Sequence, residues 1–170
     1  VTDNYASLGI FGPNSRKFLT ELVGNFFSNE DFPFATGKYL NLLNVKIWFQ
    51  RLSFVGELGW ELYIPIKKSK IIFKIIQTLG KKYNICYSGM HTLDMLRLEK
   101  KFLHWGHDIT SENNPIEAGL KFAVCLKKTC NFIGRQSIEK IISQPLKKKL
   151  ELFSLKNSNE PGNPLLMHDE

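Results

Sequence analysis

The chain has 170 residues, 43% of them hydrophobic and 12% aromatic, which is enough apolar side chain for one sizeable core and excludes extended disorder. No run of about twenty apolar residues occurs, so no membrane-spanning helix is expected, and the opening Val1-Thr2-Asp3-Asn4-Tyr5 has no signal-peptide pattern. The net charge of +7 comes from lysines scattered along the chain, with one tight run at Lys147-Lys148-Lys149 and no nucleic-acid-binding motif, which points to a solvated basic surface and not to a nucleic-acid partner.

Ala6 to Phe11 reads as a short strand ending at Gly12-Pro13. Pro13 suits the first turn of a helix to about Val23, with Phe18, Leu19 and Leu22 on one face and Arg16, Lys17 and Glu21 on the other. A strand entering a helix through glycine can bind phosphate, but one glycine meets neither the Walker nor the dinucleotide fingerprint, so this unit is expected to be structural. Residues 25–36 read as a loop, and its phenylalanines Phe26, Phe27, Phe32 and Phe34 are expected to pin it on the core.

Val45, Ile47 and Phe49 alternate with Lys46, Trp48 and Gln50, and Trp60, Leu62 and Ile64 alternate with Glu61 and Tyr63, so two strands are predicted. Gly56 and Gly59 bracket Glu57-Leu58 and suit a hairpin loop of about three to five residues whose glycines take positive φ. The period of two puts Trp60, Leu62 and Ile64 on one face and Glu61 and Tyr63 on the other.

Ile71, Ile72, Ile75, Ile76 and Leu79 then recur at helical spacing up to Gly80, with Lys68, Lys70 and Lys74 outside, as an amphipathic cover for the sheet. A further helix is predicted from Gly89 to Phe102, with Met90, Leu93, Leu96 and Leu98 inward and Asp94 and Arg97 paired on its surface. His104-Trp105-Gly106-His107-Asp108 has the look of a metal half-site, but further ligands are too few, and no metal is expected.

Asn113-Asn114-Pro115 is a turn, residues 117–124 read as an apolar strand with Glu117 as its odd member, and Phe132 opens a helix to about Ser143. Gln144-Pro145 marks the expected boundary between one domain over 1–145 and a linker and strand over 146–170, where Lys149 to Leu155 alternates. That last strand has no partner in sequence, so the chain is expected to be an internal piece of a longer protein. Cys86, Cys125 and Cys130 are odd in number and lack Cys-x-x-Cys spacing, which fits a reducing compartment, cytoplasmic or, in a eukaryote, the mitochondrial matrix.

A carboxylate on a strand is ordinarily a solvated edge residue. The sharper reading of Glu61 is that its two acceptor oxygens take a paired hydrogen bond from a flat ligand with adjacent N–H donors, between aromatic side chains.

Gly56-Glu57-Leu58-Gly59-Trp60-Glu61-Leu62-Tyr63, Leu96-Arg97-Leu98-Glu99-Lys100, Trp105-Gly106-His107-Asp108-Ile109-Thr110, Asn114-Pro115-Ile116-Glu117-Ala118-Gly119-Leu120 and Phe132-Ile133-Gly134-Arg135 resemble, in this order, the folate-binding aminomethyltransferase domain. The resemblance runs from about Asp3 to about Ile142, and it is narrower to the copy fused to FAD-dependent dimethylglycine and sarcosine dehydrogenases. It implies an α+β fold with antiparallel or mixed sheets and covering helices, and a second, truncated β-barrel domain at the C-terminal end. It also implies tetrahydrofolate as cofactor, capture of a one-carbon unit as 5,10-methylenetetrahydrofolate, a small methylated amine such as dimethylglycine or sarcosine as substrate, and FAD in an upstream domain. Carried over by position, Glu61 grips the pterin edge, Phe54 stands at the pocket wall, Trp60, Glu57 and Tyr63 shape the same corner, and Trp105 with Asp108 forms a rim. The family's catalytic Asp lies upstream of Val1, so no catalytic residue is expected here and this piece alone should be inactive. Leu93 stands where the glycine-cleavage aminomethyltransferases usually have Arg, which favours the dehydrogenase branch; a glycine-cleavage transferase and a non-catalytic regulatory relative are the alternatives.

Overall fold

The structure, a computed structural model, describes residues 2–153. They form two compact units that divide between Leu103 and His104, within the stretch 1–145.

The first unit is built on a four-stranded sheet in the order β1 (Tyr5–Phe11), β4 (Gly59–Pro65), β3 (Val45–Gln50), β2 (Gly37–Leu42), with every pairing antiparallel. Helices α1 (Ser15–Val23) and α2 (Ile66–Gly80) lie on one face, and α3 (Met90–Glu99) follows, which makes the fold α+β as expected. The period of two holds. Ile47, Phe49, Trp60, Leu62 and Ile64 are buried against Phe18 and Leu19 of α1 and Ile72 and Ile76 of α2.

The phenylalanine-rich loop divides its residues. Phe27 and Phe32 are in the core and stack at 5.9 Å, whereas Phe26 and Phe34 are exposed. Arg16 and Arg51 hold the loop from its two ends: the Arg16 guanidinium donates to the carbonyl of Phe27 and, at 2.9 Å, to Asn29 Oδ1, and Arg51 donates to the carbonyl of Phe32 at 2.7 Å. Both guanidinium groups also lie over the ring of Trp60, at 5.4 and 5.6 Å from its centroid.

Several elements differ from expectation. Pro13 precedes α1 and does not sit in its first turn; Asn14 is the N-cap. Strand β2 has no counterpart in the predicted elements, and it joins β3 through Leu43 and Asn44, both at positive φ (49° and 61°), a type I′ arrangement. The β3–β4 connection spans residues 51–58 and is longer than a tight hairpin, because Arg51 pairs back toward β2: its N–H donates to the Thr36 carbonyl at 2.9 Å and its carbonyl accepts from Ala35 at 3.1 Å. Helix α2 ends at Gly80 as expected, but Gly80 itself keeps a helical φ of −59°; Ile85 packs on it, and the left-handed residue is Asn84 (φ 52°), after a 3-10 turn. Ile71 and Met90 are exposed, and Arg97, expected on the surface, is only 3% exposed, with its Nε 3.2 Å from Asp94 Oδ1.

In the second unit residues 117–124 form no strand. Asn114 Oδ1 accepts the N–H groups of Ile116 and Glu117 (both 3.0 Å), Gly119 takes φ 74°, and Lys121–Ala123 is a 3-10 turn, so local bonds consume the backbone groups a strand would offer. Glu117 is half-buried, and its Oε2 lies 3.5 Å from the Asn114 nitrogen. Helix α4 covers Arg135–Ile142 and begins after Gly134 at φ 89°, later than Phe132. Residues 149–153 are irregular, with one backbone bond from Leu150 N–H to the Glu117 carbonyl (2.9 Å), and the rest of the predicted strand, Ser154-Leu155, lies outside the described residues together with most of 146–170.

Candidate functional site

The alternation that sends Trp60, Leu62 and Ile64 into the core turns Glu61 and Tyr63 to the opposite face of the sheet. Register then decides their neighbours. Glu61 lies between Gly9 of β1 and Gln50 of β3, and Tyr63 between Ser7 and Trp48. Side chains paired in this way share a face. Glu61 is half-buried, and its Oε2 accepts from Gln50 Nε2 at 3.1 Å and from the Tyr63 hydroxyl at 3.0 Å. Among the described residues no donor engages Oε1. Burial, and then the hydrogen bond and charge of Glu61, raise the Tyr63 phenol above its ordinary value, while a Ser7 hydrogen bond opposes the shift.

Two glycines let aromatic rings lie against this face. A Cβ on Gly37 would come 2.2 Å from Cζ2 of Trp48, and one on Gly9 would come 2.3 Å from Cε2 of Phe11. The Trp48 indole meets Tyr39 edge-on, with centroids 4.9 Å apart, and its Nε1 makes a long contact (3.5 Å) to Gln50 Oε1. The result is a carboxylate set among flat rings, with one oxygen fixed and one available. Such a surface has the chemistry to accept a flat polar ring carrying N–H donors.

The predicted site residues do not all converge there. Trp60 is fully buried on the core face, T-shaped against Phe27 (5.2 Å) and Phe32 (6.0 Å), and its Nε1 has no hydrogen-bond partner among the described residues. It supports the strand from behind and does not reach the Glu61 face. Glu57 is in the 51–58 connection, its N–H on Ser53 Oγ (3.1 Å) and its carboxylate 3.5 Å from Lys100 Nζ. Phe54 is half-buried in the same connection. Trp105 belongs to the second unit, 66% exposed, in a loop closed by Gly106 N–H to the Ile109 carbonyl (2.7 Å). Asp108 Oδ2 accepts from the His104 backbone N–H at 2.7 Å, and its Oδ1 lies 3.3 Å from His107 Nδ1, so this carboxylate organises the loop. Among the described residues no group of three or more His, Cys, Asp or Glu is placed to hold a metal, and no helix is long and apolar enough to cross a membrane. Gln50, Trp48 and Ser7 were not singled out from sequence. The alternation of 45–50 already put Gln50 and Trp48 opposite Phe49; the strand order that sets them beside Glu61 was the missing information.

Residues 1–128 match the family described as the GCVT N-terminal domain. Human mitochondrial dimethylglycine dehydrogenase is 37% identical over 155 residues, which are 91% of this chain and 18% of that protein, and human mitochondrial sarcosine dehydrogenase is 35% identical over 156 residues, 92% and 17%. An aminomethyltransferase from Halothermothrix orenii is 34% identical over 167 residues, 96% of this chain and 46% of that protein. The chain thus spans less than one-fifth of the length of these dehydrogenases and about half that of the transferase. With three-quarters of its length inside the family match, the chain belongs to the GCVT N-terminal domain family, alongside the dimethylglycine and sarcosine dehydrogenases and the aminomethyltransferases.

Proposed function

We propose that the Glu61 face of the sheet holds the pterin ring of tetrahydrofolate, in a protein that captures the one-carbon unit of a small methylated amine, of the dimethylglycine or sarcosine kind, as 5,10-methylenetetrahydrofolate. The observation that supports it is the Glu61 carboxylate, half-buried among rings, with Oε2 bound twice and Oε1 left to accept. The 2-amino and N3–H groups of a pterin are adjacent donors in one plane, which is what a carboxylate accepts best. Tyr63, with the raised phenol, stays protonated as a donor at neutral pH. Phe54 belongs to this proposal as pocket wall and Glu57 as a shaper of the hairpin corner through Lys100, while Trp105 stands on the second unit and its rim role rests on the family resemblance alone. Trp60 belongs to it as the packing behind the strand.

The chain's own part is to bind and orient, holding a nucleophilic amine beside its electrophile and excluding water. No residue of this chain is proposed as catalytic. No Gly-x-Gly-x-x-Gly occurs in the sequence, so the FAD of a dehydrogenase parent would be held by other residues. The mitochondrial dimethylglycine and sarcosine dehydrogenases among the relatives support a matrix location.

Glu61→Gln tests the site. It turns one acceptor oxygen into a donor facing a donor and should weaken tetrahydrofolate by about 1.5–3 kcal/mol. Anaerobic calorimetry on the full-length protein reads this directly. Unchanged affinity removes Glu61 from the site, and absence of binding in the folded wild type favours a regulatory relative. Turnover of dimethylglycine or sarcosine separates the dehydrogenase from a glycine-cleavage transferase.

A further inference from the structure

Oε2 of Glu61 carries two donors while Oε1 carries none among the described residues, and a ligand offering paired donors needs an acceptor site on each oxygen. One of the two present donors therefore has to release Oε2 when such a ligand enters. The two are not equivalent. Gln50 is held at both ends of its amide, Nε2 on Glu61 and Oε1 facing the Trp48 indole N–H, so turning it away breaks both contacts. The Tyr63 ring is fixed by its place between Ser7 and Trp48, but its hydroxyl proton needs only to rotate about the C–O bond to leave Oε2.

We infer that the two donors on Glu61 have opposite roles toward a two-donor ring: Gln50, braced by Trp48, is a positioning residue that keeps the carboxylate aimed, and the Tyr63 hydroxyl fills the second acceptor position only until the ligand arrives. This rests on the reading of Glu61 as the ligand's acceptor, and it goes beyond it by assigning specificity for the donor pair to Gln50 and Trp48. In the empty site the Tyr63 proton satisfies Oε2; in the occupied site it turns away from Oε2 by rotation about the C–O bond. A ring without the exocyclic amine offers one donor only and leaves Tyr63 in place, so it gains nothing from the aim that Gln50 sets.

The test is calorimetry on the full-length protein with tetrahydrofolate and with its 2-desamino analogue, for wild type, Gln50→Leu, Tyr63→Phe and Glu61→Gln. Gln50→Leu should weaken tetrahydrofolate about tenfold while changing the analogue less than about twofold, a selectivity that a general loosening of the sheet would not produce. Tyr63→Phe, which removes the competing donor, should bind tetrahydrofolate at least as tightly as wild type. Equal losses for both ligands in Gln50→Leu, or a loss in Tyr63→Phe matching that in Gln50→Leu, overturns the inference while a weakened Glu61→Gln leaves the folate site standing. Wild-type affinity in Glu61→Gln removes both.

Discussion

Gly59→Ala and Gly56→Ala, two substitutions three residues apart in the same glycine-bracketed segment, should differ in cost for reasons the sequence does not reveal. Gly59 does not need its conformational freedom. It needs its missing Cβ: an added one would lie 2.3 Å from Phe11 Cδ1, 2.4 Å from the Ile10 carbonyl oxygen and 2.8 Å from Phe11 Cα. The ring can turn aside, but the oxygen and the Cα belong to β1, so relief means parting β1 from β4 at the Phe11–Gly59 pair and stretching the 2.8 Å bond from Gly12 N–H to the Leu58 carbonyl. Overpacking of about 1–3 kcal/mol with about 1 kcal/mol for the strained hydrogen bond gives about 2–4 kcal/mol. Gly56 is exposed at φ 71°, and its nearest obstacle is the Lys100 side chain, at 2.4 Å from Cγ, which can move. Left-handed backbone alone should cost Gly56→Ala about 1–2 kcal/mol. Urea denaturation at matched m-values compares the two. The packing argument fails if Gly59→Ala stays within about 0.5 kcal/mol of wild type or proves milder than Gly56→Ala.

Phe27→Ala should cost about 3–5 kcal/mol, because the ring packs between Phe32, Phe49 and Trp60, while Phe34→Ala, at a residue 69% exposed, should stay within about 0.5 kcal/mol; both are read by the same denaturation. The Lys82 and Tyr83 hydrogen bonds hold the Glu21 carboxyl below its ordinary value, so its contribution is present above that value and lost as pH falls through the lowered one. Glu21→Gln should therefore lower the melting temperature slightly at neutral pH, with the gap closing in acid; a gap constant across pH would contradict it. In Glu61→Gln the Tyr63 phenol should titrate lower than in wild type yet stay above its ordinary value, since burial is the larger cause and remains; an alkaline absorbance titration against Tyr63→Phe reads it.

The strand period was legible wherever one face is buried: Val45 to Gln50 and Trp60 to Ile64 fall on the faces their alternation assigns. So was the apolar stripe of α2, although Ile71 at its margin is exposed. Strand β2 was missed because Gly37 to Leu42 has no β-branched residue and carries Gly37, Lys38 and Asn41, and only its pairing with β3 makes it a strand. Residues 117–124 misled in the opposite sense, since apolar composition says nothing of the local turn bonds, Glu117 N–H to the Asn114 side chain and Ala118, Gly119 and Leu120 N–H to the carbonyls of residues 114–116, that take up their backbone. At the site, Glu61 and Tyr63 were found from the strand they share, whereas Gln50 and Ser7 required the register of two other strands. Trp60 comes to the Glu61 corner only through the family resemblance, carried over by position, whereas the strand period itself sets it on the opposite face.

The strand order carries a kinetic consequence. β2 and β3 join through a two-residue turn and can pair within about microseconds, but β1 must wait for a strand that lies beyond the whole of α1, β2 and β3. Closing that long loop is the entropic hurdle, so the first strand of the chain should be the last to dock. Ser7 and Gly9 travel with it and border Tyr63 and Glu61 only once it has docked. The face that carries Glu61 is thus completed in the same event that seals the core, and a half-folded chain would have the hairpin without the site.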